Sequence, residues 1–129
     1  MVANMRLNPS DSVDSALQYL RKTVNNPKVQ IRALECHEPS RISEVNCPAW
    51  DKVASAVTST WPGCIVSPYL MVQCSDSRHY GKISDRVYRF SAMDMTAQER
   101  VTSHGNNERI RLESIYRSVE FYIRLLLQC

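Results

Sequence analysis

A chain of 129 residues is long enough for one ordinary domain or two small lobes, and 43% apolar with 22% charged residues is the make-up of a protein with a packed core. Its 16 basic and 13 acidic residues are interspersed without a Lys/Arg block, which excludes the electrostatic footprint of a nucleic-acid or membrane-surface binder. Five cysteines, an odd number with no C-x-x-C spacing, argue against a disulfide framework or a zinc ribbon and fit a reducing, cytoplasmic setting; no apolar run spans a bilayer, and Met1 to Pro9 has neither a basic lead nor a cleavage site.

Residues 1–8 alternate, with Ala3, Met5 and Leu7 against Val2, Asn4 and Arg6, and this predicts a strand with one apolar face. Asn4 and Arg6 share the other face, which on pattern alone reads as solvated. The strand begins at the first residue without a lead-in, which raises the expectation of a segment upstream. Pro9-Ser10-Asp11-Ser12 is a turn and helix start, and Val13, Ala16, Leu17, Leu20 and Val24 follow at helical spacing. Asn25-Asn26-Pro27 ends that helix, because the residue before proline disfavours helical backbone. Residues 28–36 alternate again as a strand. Two strands and a helix are marginal alone and call for further strands, from this chain or another. The polar stretch from His37 to about Cys47 reads as a linker, since Cys36, His37 and Cys47 match no structural zinc spacing.

Pro48 suits a first helical position, and Trp50, Val53, Ala54, Val57 and Trp61 form one apolar stripe before Pro62-Gly63. Residues 64–73 are apolar on both alternating faces, the pattern of a strand buried on both sides of an α/β sheet, with Pro68 delaying its start or forcing a bulge. The polar run Cys74-Ser75-Asp76-Ser77-Arg78-His79-Tyr80-Gly81 follows the carboxyl end of that strand, where open α/β sheets bind ligands. Arg78 is suited to grip a carboxylate through two parallel hydrogen bonds; a polar turn with an internal Asp76–Arg78 pair accounts for the same spacing. Residues 87–90 read as a short strand and 91–103 as a loop. Leu112, Ile115, Tyr116, Val119, Tyr122, Ile123 and Leu126 mark a final amphipathic helix, with Arg117 and Arg124 on its solvated face. Between loop and helix stands His104-Gly105-Asn106-Asn107-Glu108-Arg109, an imidazole beside a glycine with a carboxylate four residues on. That arrangement suits a metal ligand with its own supporting residue, but a metal needs three or four ligands and this is one.

Three segments in this order, Ala3-Asn4-Met5-Arg6-Leu7-Asn8-Pro9 with its helix, Ser75-Asp76-Ser77-Arg78, and His104 to Arg109, resemble the C-terminal third of the aminoacylase / carboxypeptidase S family of zinc-dependent amidohydrolases and exopeptidases. The resemblance runs essentially end to end. It implies an α/β fold: residues 1–38 as half of a lid or dimerisation domain (strand-helix-strand), and 39–129 as the C-terminal helix and strand segment of a catalytic domain. It implies His104 as the last ligand of a site for two zinc ions or other divalent metals, with Glu108 and Gly105 supporting its loop. Arg78, with Ser75 and Asp76 beside it, and Arg6, with Asn4 beside it, are implied to bind the carboxylate of an N-acyl amino acid or of a peptide C-terminus. Gln73-Cys74-Ser75 departs from the Gly-Gly-Thr often found in the family.

The family's His-x-Asp motif, its bridging Asp and its Glu-Glu pair, whose first member is the general base, have no counterpart among these residues. The expectation is therefore a chain that does not hydrolyse substrate alone. It would be part of a longer hydrolase or a homo-oligomer; the alternative is a non-catalytic carboxylate-binding or oligomerisation module derived from the family.

Overall fold

The computed structural model describes residues 1–71, 73 and 75–129, and its regular elements are helices: α1 Val13–Val24, α2 Pro48–Thr60, α3 Ser77–Tyr80, α4 Ala97–Arg100 and α5 Leu112–Leu126. The chain divides into two units, Met1–Ser43 with Val72–Val87, and Glu44–Met71 with Tyr88–Cys129.

In the first unit α1 starts where its sequence dictates. The Ser12 hydroxyl accepts from the Ser15 amide at 3.0 Å while the Ser15 hydroxyl accepts from the Ser12 amide at 2.9 Å, a reciprocal cap that satisfies two amides the helix itself cannot. The Glu38 carboxylate accepts from the Val13 amide at 3.2 Å, so a residue of the polar connector supplies negative charge at the positive end of α1. Asn25 ends the helix in left-handed backbone, φ 42°, a conformation its short amide side chain tolerates. The connector is tied further along: the Ser43 hydroxyl donates to the Val87 carbonyl at 3.0 Å and accepts from its amide at 2.9 Å, and Arg41 pairs with Asp85 at 2.8 Å on the surface.

In the second unit α2 packs against α5 around Phe121, with Ala56, Val57 and Ala92 buried beside it and Val53, Trp61, Val66 and Leu125 against them. Close approach is possible because the facing positions are small. Ser114 is fully buried and donates to the Asp94 carbonyl at 2.7 Å, and the Ser118 hydroxyl donates to the Ala92 carbonyl. Phe121 meets three rings, those of Trp61 (centroids 5.9 Å), Phe90 (5.1 Å) and Tyr122 (5.1 Å). Arg117 and Arg124 are not free solvated charges: Arg117 pairs with Glu113 at 3.2 Å and Arg124 with Glu120 at 2.5 Å, and Arg124 also donates to the Ser59 carbonyl. That last bond satisfies a carbonyl in the final turn of α2 and sets a cation at the negative end of its dipole.

The three long helices stand where the 3.6-residue periodicity places them. The strands expected at 1–8, 28–36, 64–73 and 87–90 do not form: among the described residues no strand is present, and Val72 lies outside them. The α/β expectation is thus met in its helices and not in its sheet. The physical reason is that a strand exists only through a neighbour's N–H and C=O groups. Val66 packs on the core while Ile65 is 90% exposed, so the segment patterned for burial on two faces is not covered on both.

Candidate functional site

The expected site residues fall into both units. Asn4 and Arg6 lie exposed in irregular backbone of the first. Ser75, Asp76 and Arg78 lie in the same unit at the start of α3, while Cys74 is outside the described residues. The start of α3 is a tight turn, because Arg78 and His79 donate backbone bonds to the Ser75 and Asp76 carbonyls at 3.3 and 2.9 Å. The Ser75 hydroxyl meets that of Ser77 at 2.5 Å and accepts from the Ser77 amide at 3.4 Å. Arg78 Nε donates to His79 Nε2 at 3.2 Å. Among the described residues no carboxylate reaches ion-pair distance of Arg78, so the internal Asp76–Arg78 pair is not formed and the exposed guanidinium keeps the capacity to take a carboxylate from outside.

His104 lies in the second unit, on a loop built from both of its ends. On the N-terminal side Thr96 caps the single-turn helix α4. Its amide donates to Glu99 Oε2 at 2.7 Å and its hydroxyl accepts from the Glu99 amide at 3.2 Å. The chain then turns through Thr102, whose carbonyl accepts from the Gly105 amide at 2.9 Å. A side chain at Gly105 would put its Cβ 3.2 Å from that same oxygen, a tight contact, so the turn favours glycine here. His104 itself sits at φ 62° and Asn107 at φ 64°. For histidine this left-handed backbone carries a cost of about 1 kcal/mol, borne where surrounding contacts over-determine it and characteristic of functional loops. Among those contacts is Glu108, whose carboxylate accepts from the His104 amide at 3.2 Å. Glu108 therefore holds the backbone of His104 rather than its ring. The imidazole is exposed and has no hydrogen-bond partner among the described residues.

At the far end, Arg111 returns to where the loop began. Its Nε donates to Glu99 Oε1 at 2.9 Å and its Nη2 to the Asp94 carbonyl at 2.9 Å. The Thr96 amide is the main influence holding the Glu99 carboxylate below its ordinary range. Partial burial of a side chain only 11% exposed opposes it, and the Thr96 hydroxyl and Arg111 reinforce it. Sequence reasoning missed this clasp. Thr96-Ala97-Gln98-Glu99 is a capping-box signature that announces the start of α4, and it is too short to show periodicity.

His104 presents one exposed imidazole, and a metal ion needs three or four donors. Among the described residues no three His, Cys, Asp or Glu are gathered as a metal ion needs, and Cys36, Cys47, Cys64 and Cys129 form no disulfide with one another. The described residues therefore do not gather a metal site by themselves. No helix among the described residues is long and apolar enough to cross a membrane.

Comparison with known proteins finds no matching family model and no matching solved structure. Among curated proteins, the chain is 25% identical over 124 residues to a probable carboxypeptidase S-like 2 of Dictyostelium discoideum, covering 95% of this chain and 24% of that protein. It is 29% identical over 126 residues to the N-fatty-acyl-amino acid synthase/hydrolase PM20D1 of Mus musculus, covering 95% of this chain and 25% of that protein. It is 30% identical over 95 residues to an uncharacterized carboxypeptidase of Schizosaccharomyces pombe, covering 70% of this chain and 16% of that protein. The chain thus spans about a quarter of the length of the first two of these relatives. Near end-to-end similarity to proteins of this one kind, over a chain that holds a lone histidine on a tightly built loop, leads to one assignment: the chain belongs to the carboxypeptidase S-like family of peptidases and amidohydrolases.

Proposed function

We propose that these residues form the C-terminal part of a metal-dependent hydrolase that cleaves the amide bond of N-acyl amino acids or of C-terminal peptide residues. The observation that carries the reading is similarity over 95% of the chain to proteins named as carboxypeptidase-like and as N-fatty-acyl-amino acid hydrolases. The strained, clasped backbone at His104 supports it, because such a loop fixes a donor in one place.

In this reading His104 gives one imidazole to a zinc site, and Glu108 and Gly105 hold the backbone that presents it. The remaining ligands and the general base would come from polypeptide beyond these 129 residues, and the bound metal would supply carbonyl polarisation and water activation. Arg78 and Arg6, with Asn4, Ser75 and Asp76 nearby in sequence, take the substrate carboxylate, and the exposed Arg78 without a carboxylate partner suits that task. Residues 1–38 belong to a lid or dimerisation domain and 39–129 to the catalytic domain. The odd, unpatterned set of cysteines supports a cytoplasmic setting.

The test is a chimera in which this chain replaces the matching quarter of the mouse relative. Hydrolysis of an N-fatty-acyl amino acid should be retained and should fall at least about 100-fold with His104→Ala. Arg78→Ala should raise KM for the carboxylate-bearing substrate more than it lowers kcat. A His104→Ala chimera as active as its parent would overturn the proposal, as would hydrolysis by the 129-residue chain alone.

A further inference from the structure

Arg78 and His79 are consecutive residues of α3, and neighbours one apart on a helix do not face each other, so their side chains do not ordinarily meet. Here they do: Arg78 Nε donates to His79 Nε2 at 3.2 Å. The bond is made from a fixed base. The His79 amide donates to the Asp76 carbonyl at 2.9 Å, and the His79 carbonyl accepts from the Lys82 amide at 3.2 Å. The Arg78 amide donates to the Ser75 carbonyl at 3.3 Å. Both residues are exposed, so no core presses the two side chains together. The contact rests on what the two groups offer one another.

A guanidinium only donates, so the imidazole is the acceptor. That fixes its form as neutral, with the proton on Nδ1 and the lone pair on Nε2. The bond also divides the guanidinium. Nε is held, which closes the edge formed by Nε and its neighbouring terminal nitrogen. Nη1 and Nη2 remain as a fork of two parallel N–H groups, the edge that meets both oxygens of a carboxylate end-on. The nearby Ser75 and Ser77 hydroxyls are engaged with each other at 2.5 Å. A neutral acceptor suits this place. An Asp or Glu at the same position would also hold Nε, but it would cancel the charge that draws a carboxylate; an imidazole orients the fork and leaves the charge intact.

We propose that His79 is a positioning residue for carboxylate recognition: it holds Arg78 by Nε so that Nη1 and Nη2 take the carboxylate of an N-acyl amino acid end-on. The inference rests on the proposed role of Arg78. Its benefit is order. An exposed arginine samples many rotamers, and fixing it only at the moment of binding would cost affinity.

Two measurements test it. The first is NMR of the 129-residue chain with 15N-labelled histidine, in alkaline buffer where imidazoles are neutral. His79 should carry its proton on Nδ1, while the exposed His37 and His104 should show the Nε2–H form that neutral histidine otherwise favours. Arg78→Ala should return His79 to that ordinary form. The second is kinetics of the chimera with the mouse relative, on an N-dodecanoyl amino acid and on its methyl ester. For the acid, His79→Ala should raise KM about 3- to 10-fold and leave kcat within about twofold. For the ester, which has no carboxylate, KM should not change. His79→Gln, whose side-chain carbonyl can accept from Nε, should restore KM for the acid to within about twofold of the parent. General loosening of the turn would raise both KM values alike.

An Nε2–H form of His79 in the isolated chain would overturn the inference. So would an unchanged KM for the acid in His79→Ala, or an equal rise for acid and ester. A chimera that does not hydrolyse substrate sinks the proposed activity, and calorimetric Kd values for acid and ester then carry the same comparison. A parent chimera that binds the acid no better than the ester would remove the role of Arg78 and that of His79 with it.

Discussion

Phe121→Ala is the most demanding perturbation of the packing described. Phe121 is 1% exposed and touches the rings of Trp61, Phe90 and Tyr122. Truncating a buried phenylalanine costs about 3–5 kcal/mol, and each aromatic pair lost adds to the area term. One flank is already open, a shallow groove of 190 Å³ lined by Val53, Tyr88, Phe90, Phe121, Tyr122 and Leu125, and its walls can relax inward. That places the expected loss near the lower end, about 3 kcal/mol. A unit of this size has only about 4–10 kcal/mol of stability, so the variant should be marginal. The assay is urea unfolding followed by tryptophan fluorescence, which reads Trp61 directly beside the mutated site. With a slope of about 1 kcal/mol per molar, the midpoint should fall by roughly 3 M. Tyr122→Ala, at a neighbouring position that is 47% exposed, should shift it by no more than about 1 M. A Phe121→Ala shift under about 1 M at unchanged slope would refute the placement of the core.

The loop yields three further expectations. The carboxyl of Glu99 is held below its ordinary value of 4.5, so the contribution of its bonds is complete above 4.5 and is lost as pH falls through the lower folded value. The Thr96 amide proton should report this by NMR, with a midpoint below 4.5 that Glu99→Gln abolishes, and a midpoint at 4.5 or higher would contradict it. Gly105→Ala presses its new methyl to 3.2 Å from the Thr102 carbonyl and should cost about 1 kcal/mol in urea unfolding; a neutral or stabilising change would show the turn to be looser than described. At the left-handed φ of His104, His104→Asn should be tolerated within about 0.5 kcal/mol while the β-branched His104→Val loses about 1–2 kcal/mol, and equal stabilities would argue against that backbone conformation.

The helices were legible because each carried local marks and an apolar period at once. Ser12 opens α1, Asn25-Asn26-Pro27 closes it, and Pro48 opens α2. Residues 64–71 carried an equally clear pattern, yet that pattern records what a segment needs for burial, and the neighbours that would supply it are not among the described residues. α4 escaped notice because four residues show no period, although its capping pair was in view. At the site, the pairing of Glu108 with the His104 position was readable from a spacing of four. Its target, a backbone amide rather than the ring, was not. Nor was it foreseeable that the left-handed residue would be His104 and not the adjacent glycine, since local preference alone favours Gly105.

The clasp between Glu99 and Arg111 has a consequence for affinity. It closes a ring of thirteen residues around His104, and holding the ends of such a segment together costs about 2 kcal/mol of chain entropy. A lone surface ion pair contributes less than that, so closure draws also on the Asp94 carbonyl, the Thr96 cap and α5 itself. Whatever engages the imidazole meets a loop ordered during folding, and its apparent dissociation constant equals the intrinsic one divided by the fraction of molecules with the ring closed. Residues that never touch the bound partner thereby set how tightly it is held.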